Sequence, residues 1–326
     1  MAATTTSPRP QPLSPAMVER DLKQVDSFWS SAWRQFRKNK LAVISAWFIV
    51  TLAIVAIVVP YLLPQTYADQ DTSVSLQGPS WAHPMGTDQL GRDLMTRLIF
   101  GARVSLTVGI VVQAVILLIG VPAGLLAGYV GGKLDMAIMR IVDVLYAMPN
   151  LLFVILIMTF LRGQFGQDPG GLAGVLADFD RTTGGLIGVY IGLGLVSWLT
   201  IARIVRANTL SLKEKEYVEA ARGIGAGHGT IMRRHLLPNT IAPIVVAATL
   251  GIPGAILYEA GISFLGLGVI PPMPSWGLMI SEAIPQMRAH PYMLIFPAAA
   301  LSLTVLAFNF LGDGLRDALD PWMKRS

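Results

Sequence analysis

The sequence predicts an all-α membrane protein with six transmembrane helices and both termini in the cytoplasm. Of its 326 residues, 53% are hydrophobic and only 14% are charged, and the mean hydropathy is +0.57. Soluble domains carry about 25% charged residues. Several uncharged stretches match the roughly 20 residues that a helix needs to cross a bilayer. Because lipid offers the backbone no hydrogen-bond partner, these stretches are expected to be helical.

Six segments have the length and composition of a spanning helix. They are Leu41–Leu63, Val104–Ala127, Ala137–Leu161, Leu186–Val205, Ile241–Leu257 and Tyr292–Leu311. With the N-terminus in the cytoplasm, the cytoplasmic segments receive most of the 25 Lys and Arg residues. This is the bias that membrane proteins show. It also accounts for the pI of 9.6 without a nucleic-acid partner.

Differences in composition divide the chain into a tail, an amphipathic segment, a first span and a core domain. Residues 1–21 are rich in Thr, Ser and Pro and are predicted to be a disordered cytoplasmic tail, not a signal peptide. Residues 22–40 predict an interfacial amphipathic (elbow) helix, and the alternative is a solvated linker. Its apolar face carries Leu22, Val25, Trp29, Trp33 and Phe36, opposite Lys23, Arg34 and Lys38. Residues 41–103 hold the first span and an extracytoplasmic segment, and residues 104–326 form the core domain.

Small and charged residues inside the spans predict helix packing. Gly120, Gly124 and Gly128 recur every four residues in the second span, as do Gly188 and Gly192 in the fourth. Such glycines let helix backbones approach closely in lipid, so they indicate a tight bundle. In the third span, Arg140 and Asp143 are three residues apart and predict a structural ion pair. A transport role for this pair is the alternative.

The sequence lacks the residues that a metal site, a phosphate-binding loop or a hydrolase nucleophile would need. The chain has no cysteine, and its four histidines do not cluster with other ligand types, so no metal site is predicted. The Gly132-Lys133 pair lacks the remaining residues of a phosphate-binding loop. The chain itself is therefore not predicted to hydrolyse ATP. The segment around Ser263 lacks the last glycine of a nucleophile elbow, which excludes that hydrolase site.

The loop between the fourth and fifth spans, residues 206–239, has an unusual internal order. A stretch around Tyr217–Ala221 favours a short helix. Gly223, Gly225 and Gly227 then interrupt it, and a basic stretch leads to Leu237-Pro238. Because proline is tolerated in the first turn of a helix, the fifth span is expected to begin there. A short helix that protrudes from the membrane in this way can transmit force.

This loop resembles the signature of binding-protein-dependent ABC importer permeases. The matching residues are Glu219, Ala220, Ala221, Gly225, Leu237 and Pro238, at the family's spacing. His235 stands where the family often has isoleucine, and histidine is usual there in the peptide-importer branch. The resemblance implies the fold of a type I ABC importer transmembrane domain. It also implies that the loop contains a coupling helix whose Glu219, Ala220, Ala221 and Gly225 contact an ATPase subunit.

Three further stretches resemble the C-type permease subunit of dipeptide and oligopeptide importers. They are residues 83–106, residues 262–277 and residues 308–321. The resemblance implies a multi-pass protein of the bacterial cytoplasmic membrane that pairs with a second, related permease. It also implies two ATPase subunits that bind ATP and Mg²⁺, an extracytoplasmic peptide-binding protein and a peptide cargo. The chain itself would hold no cofactor.

Two alternatives to a peptide importer remain open from the residues. Relatives of this subunit carry nickel or other small cargoes. A proton-coupled secondary transporter would need acids deep in its helices, for which Glu259 is the main candidate. The glycine-rich segment 162–185 is also longer than the family's usual connection. It is interpreted as a neutral insertion, with contact to the binding protein as the alternative.

Overall fold

A computed structural model describes residues 28–165 and 170–320, and most of these residues are helical. Within these ranges, the extended backbone pairs only at an isolated bridge between Thr87 and Asp93. The predicted tail 1–21 and the elbow positions Leu22 and Val25 lie outside the described residues.

Twelve α-helices are numbered here in chain order within the described ranges. They are α1 Phe28–Lys38, α2 Lys40–Val58, α3 Leu94–Val130, α4 Gly132–Tyr146, α5 Asn150–Phe165, α6 Gly171–Thr182, α7 Leu186–Leu212, α8 Glu216–Gly223, α9 His228–Ile231, α10 Leu237–Phe264, α11 Trp276–Ala283 and α12 Tyr292–Leu319. A π-helical turn, Met232–Leu236, joins α9 to α10. Among the described residues, five helical stretches are long and apolar enough to cross a membrane, and the bent pair α4–α5 makes a sixth candidate.

The third predicted span is not one straight helix. The chain bends by 92° between α4 and α5. Pro149 lies at this break. Proline has no N–H to donate, and its ring disfavours the helical conformation of the residue before it. The prediction of a continuous helix over Ala137–Leu161 was therefore wrong, because it counted apolar residues and overlooked this proline.

The second span begins earlier than its apolar residues suggest. Asp93 caps α3 by accepting a hydrogen bond from the Thr96 backbone N–H at 2.8 Å. The helix starts there instead of at Val104 and runs for 37 residues. At about 1.5 Å per residue its length is roughly 55 Å, well beyond a hydrocarbon core of about 30 Å. α3 therefore links structures on both sides of the bundle.

The centre of the bundle is the contact between α3 and α7, which depends on the predicted glycines. A Cβ atom on Gly120 would lie 2.8 Å from the Trp198 carbonyl oxygen, and one on Gly124 would lie 2.5 Å from that of Ala202. On α7, a Cβ at Gly192 would lie 3.2 Å from Val154 of α5. The close helix packing predicted from these glycines is confirmed.

The predicted pair of Arg140 and Asp143 does not form in the described part of the chain. The Asp143 carboxylate instead accepts a hydrogen bond from the Arg203 guanidinium of α7 at 2.7 Å. That guanidinium also lies over the Tyr146 ring, 4.2 Å from its centre. The partner of Asp143 is therefore an arginine of another helix, whose side chain also packs on the Tyr146 ring. Asp135 and Arg206 make a second, two-bonded contact between α4 and α7 at 2.5 and 2.6 Å.

At the start of α3, buried charges hold the preceding loop against α11. The Asp88 carboxylate accepts hydrogen bonds from Arg92 and Arg97, each at 2.6 Å. The Glu282 carboxylate lies 2.8 Å from the Arg97 guanidinium and 3.3 Å from that of Arg92. We call these four residues the Asp88 cluster. Asp88, Arg92 and Arg97 are all buried, so the cluster fixes the position of the loop before α3.

The described part of segment 162–185 contains the helix α6. Its buried Ala177 packs in one cluster with Phe165 and Ile187, whereas Val175 and Phe179 are exposed. The Asp180 carboxylate accepts a hydrogen bond from the Ile187 N–H at 2.9 Å and so joins α6 to the start of α7. Burial raises the pKa of Asp180. The described residues of this segment are thus packed against the start of α7.

Candidate functional site: an exposed helical segment and an adjacent groove

The segment 213–238, which runs from the end of α7 into the first turn of α10, presents one face outward and one face to the bundle. In α8, Val218 and Ala221 are buried. Glu219 and Ala220 are exposed on the other face. The Glu-Ala-Ala motif is therefore divided. Its first two residues are available to a partner, and its third anchors the helix.

Gly225 ends α8 in the conformation that the predicted glycine turn requires. Its φ is +81°, in the left-handed region that favours glycine. The Gly225 N–H donates to the Arg222 carbonyl at 2.9 Å, and the Ala226 N–H donates to that of Ala221 at 3.0 Å. Next to this turn the Ile224 side chain is 87% exposed. The turn thus displays an apolar side chain at the tip of the segment.

The segment is attached to the end of α3 through Tyr129. The Tyr129 hydroxyl lies 3.0 Å from His228 Nδ1, within hydrogen-bond distance. The Arg222 guanidinium lies 5.4 Å from the centre of the same ring. The sequence did not indicate Tyr129, because nothing near it in the chain shows that its hydroxyl contacts His228.

Beyond the turn, the segment continues into α10 without a break in helical structure. The π-helical turn carries the fully buried Leu236. Leu237 follows, half-buried, and Pro238 is exposed in the first turn of α10. The helical stretch from His228 to Phe264 spans 37 residues. The closing residues of the sequence motif therefore connect the exposed segment to a spanning helix.

A groove of about 1230 Å³ lies beside this connection, between α3, α7 and α10. Most of its lining is apolar, and several uncharged polar side chains interrupt it. Among these are Gln113, Ser197, Thr200, Asn208 and Tyr258. Among the described lining residues, charge is confined to Arg316 and Asp320 at the end of α12. The sequence did not indicate this groove, because its lining comes from distant parts of the chain, from α1 to the end of α12.

Glu259, the acid considered for proton coupling, does not line this groove. Its carboxylate is completely buried and accepts hydrogen bonds from Ser263 at 2.6 Å and from Ser105 of α3 at 3.4 Å. It is not among the described residues that line the groove. Its contacts join α10 to α3.

Comparison with known proteins assigns the chain to a family. Residues 120–325 match the family described as the binding-protein-dependent transport system inner membrane component. The chain belongs to this family. Residues 27–79 also match the N-terminal TM domain of oligopeptide transport permease C. This permease is therefore a multi-pass protein of the bacterial cytoplasmic membrane and the transport subunit of an ABC importer, with ATP hydrolysis in separate subunits.

Relatives of this permease match along nearly all of its length. It is 43% identical to the oligopeptide transport system permease protein OppC of Haemophilus influenzae, over 90% of this chain and 89% of the relative. It is 41% identical to the dipeptide transport system permease protein DppC of Bacillus subtilis, over 92% and 87%. It is 42% identical to the glutathione transport system permease protein GsiD of Pectobacterium atrosepticum, over 94% and 95%.

A solved structure shows the same fold. Inward-facing structures of the MetNI methionine ABC transporter include a chain that aligns with a TM-score of 0.54 and 22% identity. The alignment covers 70% of this permease and 98% of that chain. The predicted type I importer fold is confirmed, and the family assignment favours an importer permease over a proton-coupled transporter.

Proposed function

We propose that this permease translocates dipeptides and oligopeptides as one half of a permease heterodimer, with the pathway between the two halves. A binding protein delivers the peptide on the extracytoplasmic side. Two ATPase subunits bind ATP and Mg²⁺ on the cytoplasmic side, where residues 213–238 and both termini lie. One observation carries the proposal: the helix that leaves the exposed segment also forms a wall of the groove.

The continuous helix from His228 to Phe264 acts as a lever in this mechanism. Glu219, Ala220 and Ile224 present the contact surface for the ATPase, and Gly225 sets the turn that exposes it. Closure of the ATPase subunits on ATP displaces the segment, and α10 carries that movement to the groove. The pathway opens outward to receive cargo, and hydrolysis returns it to the inward-facing state. Cargo shifts this equilibrium only through its different affinities for the two states.

A peptide suits the groove better than a metal cargo does. Apolar walls with uncharged hydrogen-bonding groups accept main-chain amides together with varied side chains. The described residues contain no group of three or more His, Asp or Glu side chains that could hold a metal ion. The relatives named above are designated for oligopeptide, dipeptide and glutathione transport, which are all peptide cargoes.

Energy depletion tests the proposed function. The complete transporter would be expressed with its binding protein, and uptake of radiolabelled tri-alanine would be measured after ATP is depleted while the proton gradient is maintained. We expect uptake to stop. A protonophore that collapses the gradient while ATP remains should leave uptake nearly unchanged. Uptake that follows the gradient instead of ATP would refute the proposal.

A further inference from the structure

Gln113 of α3 lies at the groove with an unused hydrogen-bond donor. The residue lines the groove, yet it is only 4% exposed. Its side-chain Nε2 is buried and has no hydrogen-bond partner in the described part of the chain. Its neighbours Val112 and Ile116, also in the lining, are apolar and buried. A primary amide carries two N–H donors, so the groove has an unsatisfied donor just beneath its surface.

The position of this amide depends on Gly251 of α10. A Cβ atom on Gly251 would collide with the Gln113 carboxamide oxygen. The Gln113 carboxamide fits against α10 because Gly251 has no side chain. Gly251 itself also lines the groove. Since α10 covers the Gln113 amide at Gly251, movement of α10 relative to α3 changes how much of the amide is exposed to the groove.

Stability does not explain why a glutamine occupies this place. A buried donor without a partner destabilises the folded chain, and an apolar side chain of similar shape would be neutral or stabilising. A polar group without a hydrogen-bond partner in an apolar wall is therefore expected where a ligand, or another conformation of the protein, supplies that partner. The low dielectric constant of the surroundings strengthens any hydrogen bond that forms there.

We propose that Gln113 is a cargo-binding residue whose Nε2 donates a hydrogen bond to a main-chain carbonyl of the translocating peptide. The inference rests on the proposed peptide transport and adds a specific contact to it. A main-chain carbonyl is the acceptor that every peptide shares, so a neutral donor at this point serves cargoes with different side chains. The contact forms when α10 moves away from α3 and uncovers the amide.

The decisive variant is Gln113→Leu, measured in the complete transporter reconstituted with its binding protein. We expect its thermal stability in detergent to be unchanged or raised, because the buried donor is gone. We expect ATP-dependent uptake of tri-alanine to fall about tenfold, the effect of losing one hydrogen bond in an apolar site. A destabilised variant would mean that Gln113 is structural. Uptake within twofold of the unsubstituted transporter would overturn the inference.

A pair of glycine variants tests the same contact without altering Gln113. Gly251→Ala displaces the amide and should lower tri-alanine uptake several-fold. Gly261→Ala is the matched control in α10, since a Cβ there meets no atom within 4 Å and Gly261 does not line the groove. It should transport normally. Equal uptake by the two variants would contradict the proposed role of the amide.

A backbone analogue separates this inference from the proposed function. In the analogue, one amide of tri-alanine is replaced by an ester, whose carbonyl is a weaker acceptor, and uptake is corrected for binding-protein affinity. The unsubstituted transporter should prefer the amide, and Gln113→Leu should lose most of that preference. If the unsubstituted transporter fails to accumulate either compound, both the function and the inference fail. If it transports tri-alanine and the preference survives in Gln113→Leu, the inference alone fails.

Discussion

The two ends of α3 differ in the exposure of the side chains that surround them. At its start, the Asp88 cluster buries its charges against each other, and Arg97 is only 1% exposed. At its end, residues 213–238 leave Glu219 in solvent and Ile224 87% exposed, held through contacts to Tyr129. Both regions carry motifs that resemble the family's. The residues around Asp88 are buried and hold the fold together, whereas those around Glu219 form an exposed surface. A distinctive motif therefore does not by itself identify a functional contact.

The largest expected effect on stability is at the Asp88 cluster. Asp88→Asn removes the buried carboxylate that Arg92 and Arg97 share and leaves them with Glu282 alone. Breaking a buried ion pair by removing one partner costs about 3–5 kcal/mol. We expect a large drop in thermal stability in detergent and a low yield of folded protein. Asp69→Asn, at an exposed carboxylate in the same loop region, is the control and should behave as the unsubstituted chain. Equal stability of the two variants would remove the contrast between the ends of α3.

At the other end, we expect Gly225→Asp to abolish transport while the chain still folds and inserts. No atom lies within 4 Å of a Cβ at this position, so the side chain adds charge to an exposed surface without a clash. Co-purification of the ATPase subunits and peptide uptake are the measurements. Gly225→Asn is the matched control, because asparagine also accepts the left-handed conformation and is neutral. Full uptake by the aspartate variant would count against a docking role.

The smallest effect is expected at the attachment of the segment. Tyr129→Phe removes the hydrogen bond to His228 but keeps the ring beneath Arg222. The loss of one such bond costs roughly 0.5–1.5 kcal/mol. Thermal stability should fall slightly, and the number of ATP molecules hydrolysed per peptide should rise because the lever is less firmly held. An unchanged ratio would show that the segment does not need this attachment.

Local patterns were sufficient for much of the fold. The candidate spans, the close approach at Gly120 and Gly124, and the glycine turn at Gly225 were all predicted from nearby residues. The errors arose where local patterns compete. At Pro149 a backbone restriction overrode an apolar stretch, and at Asp143 a partner from another helix replaced one on the same helix. The coupling role of Glu219, Ala220, Ala221, Gly225, Leu237 and Pro238 stays a prediction.

The sequence by itself determined the membrane class, the approximate spans and the family. Those properties depend on composition and on motifs that are contiguous in the chain. Only the tertiary structure decided that Gln113 lies against Gly251 beside a groove, that Asp143 pairs with Arg203, and that the exposed segment continues into a groove wall. The physical reason is that side-chain hydrogen bonds and close contacts require a particular distance and orientation. Residues far apart in the chain acquire these only when the helices pack.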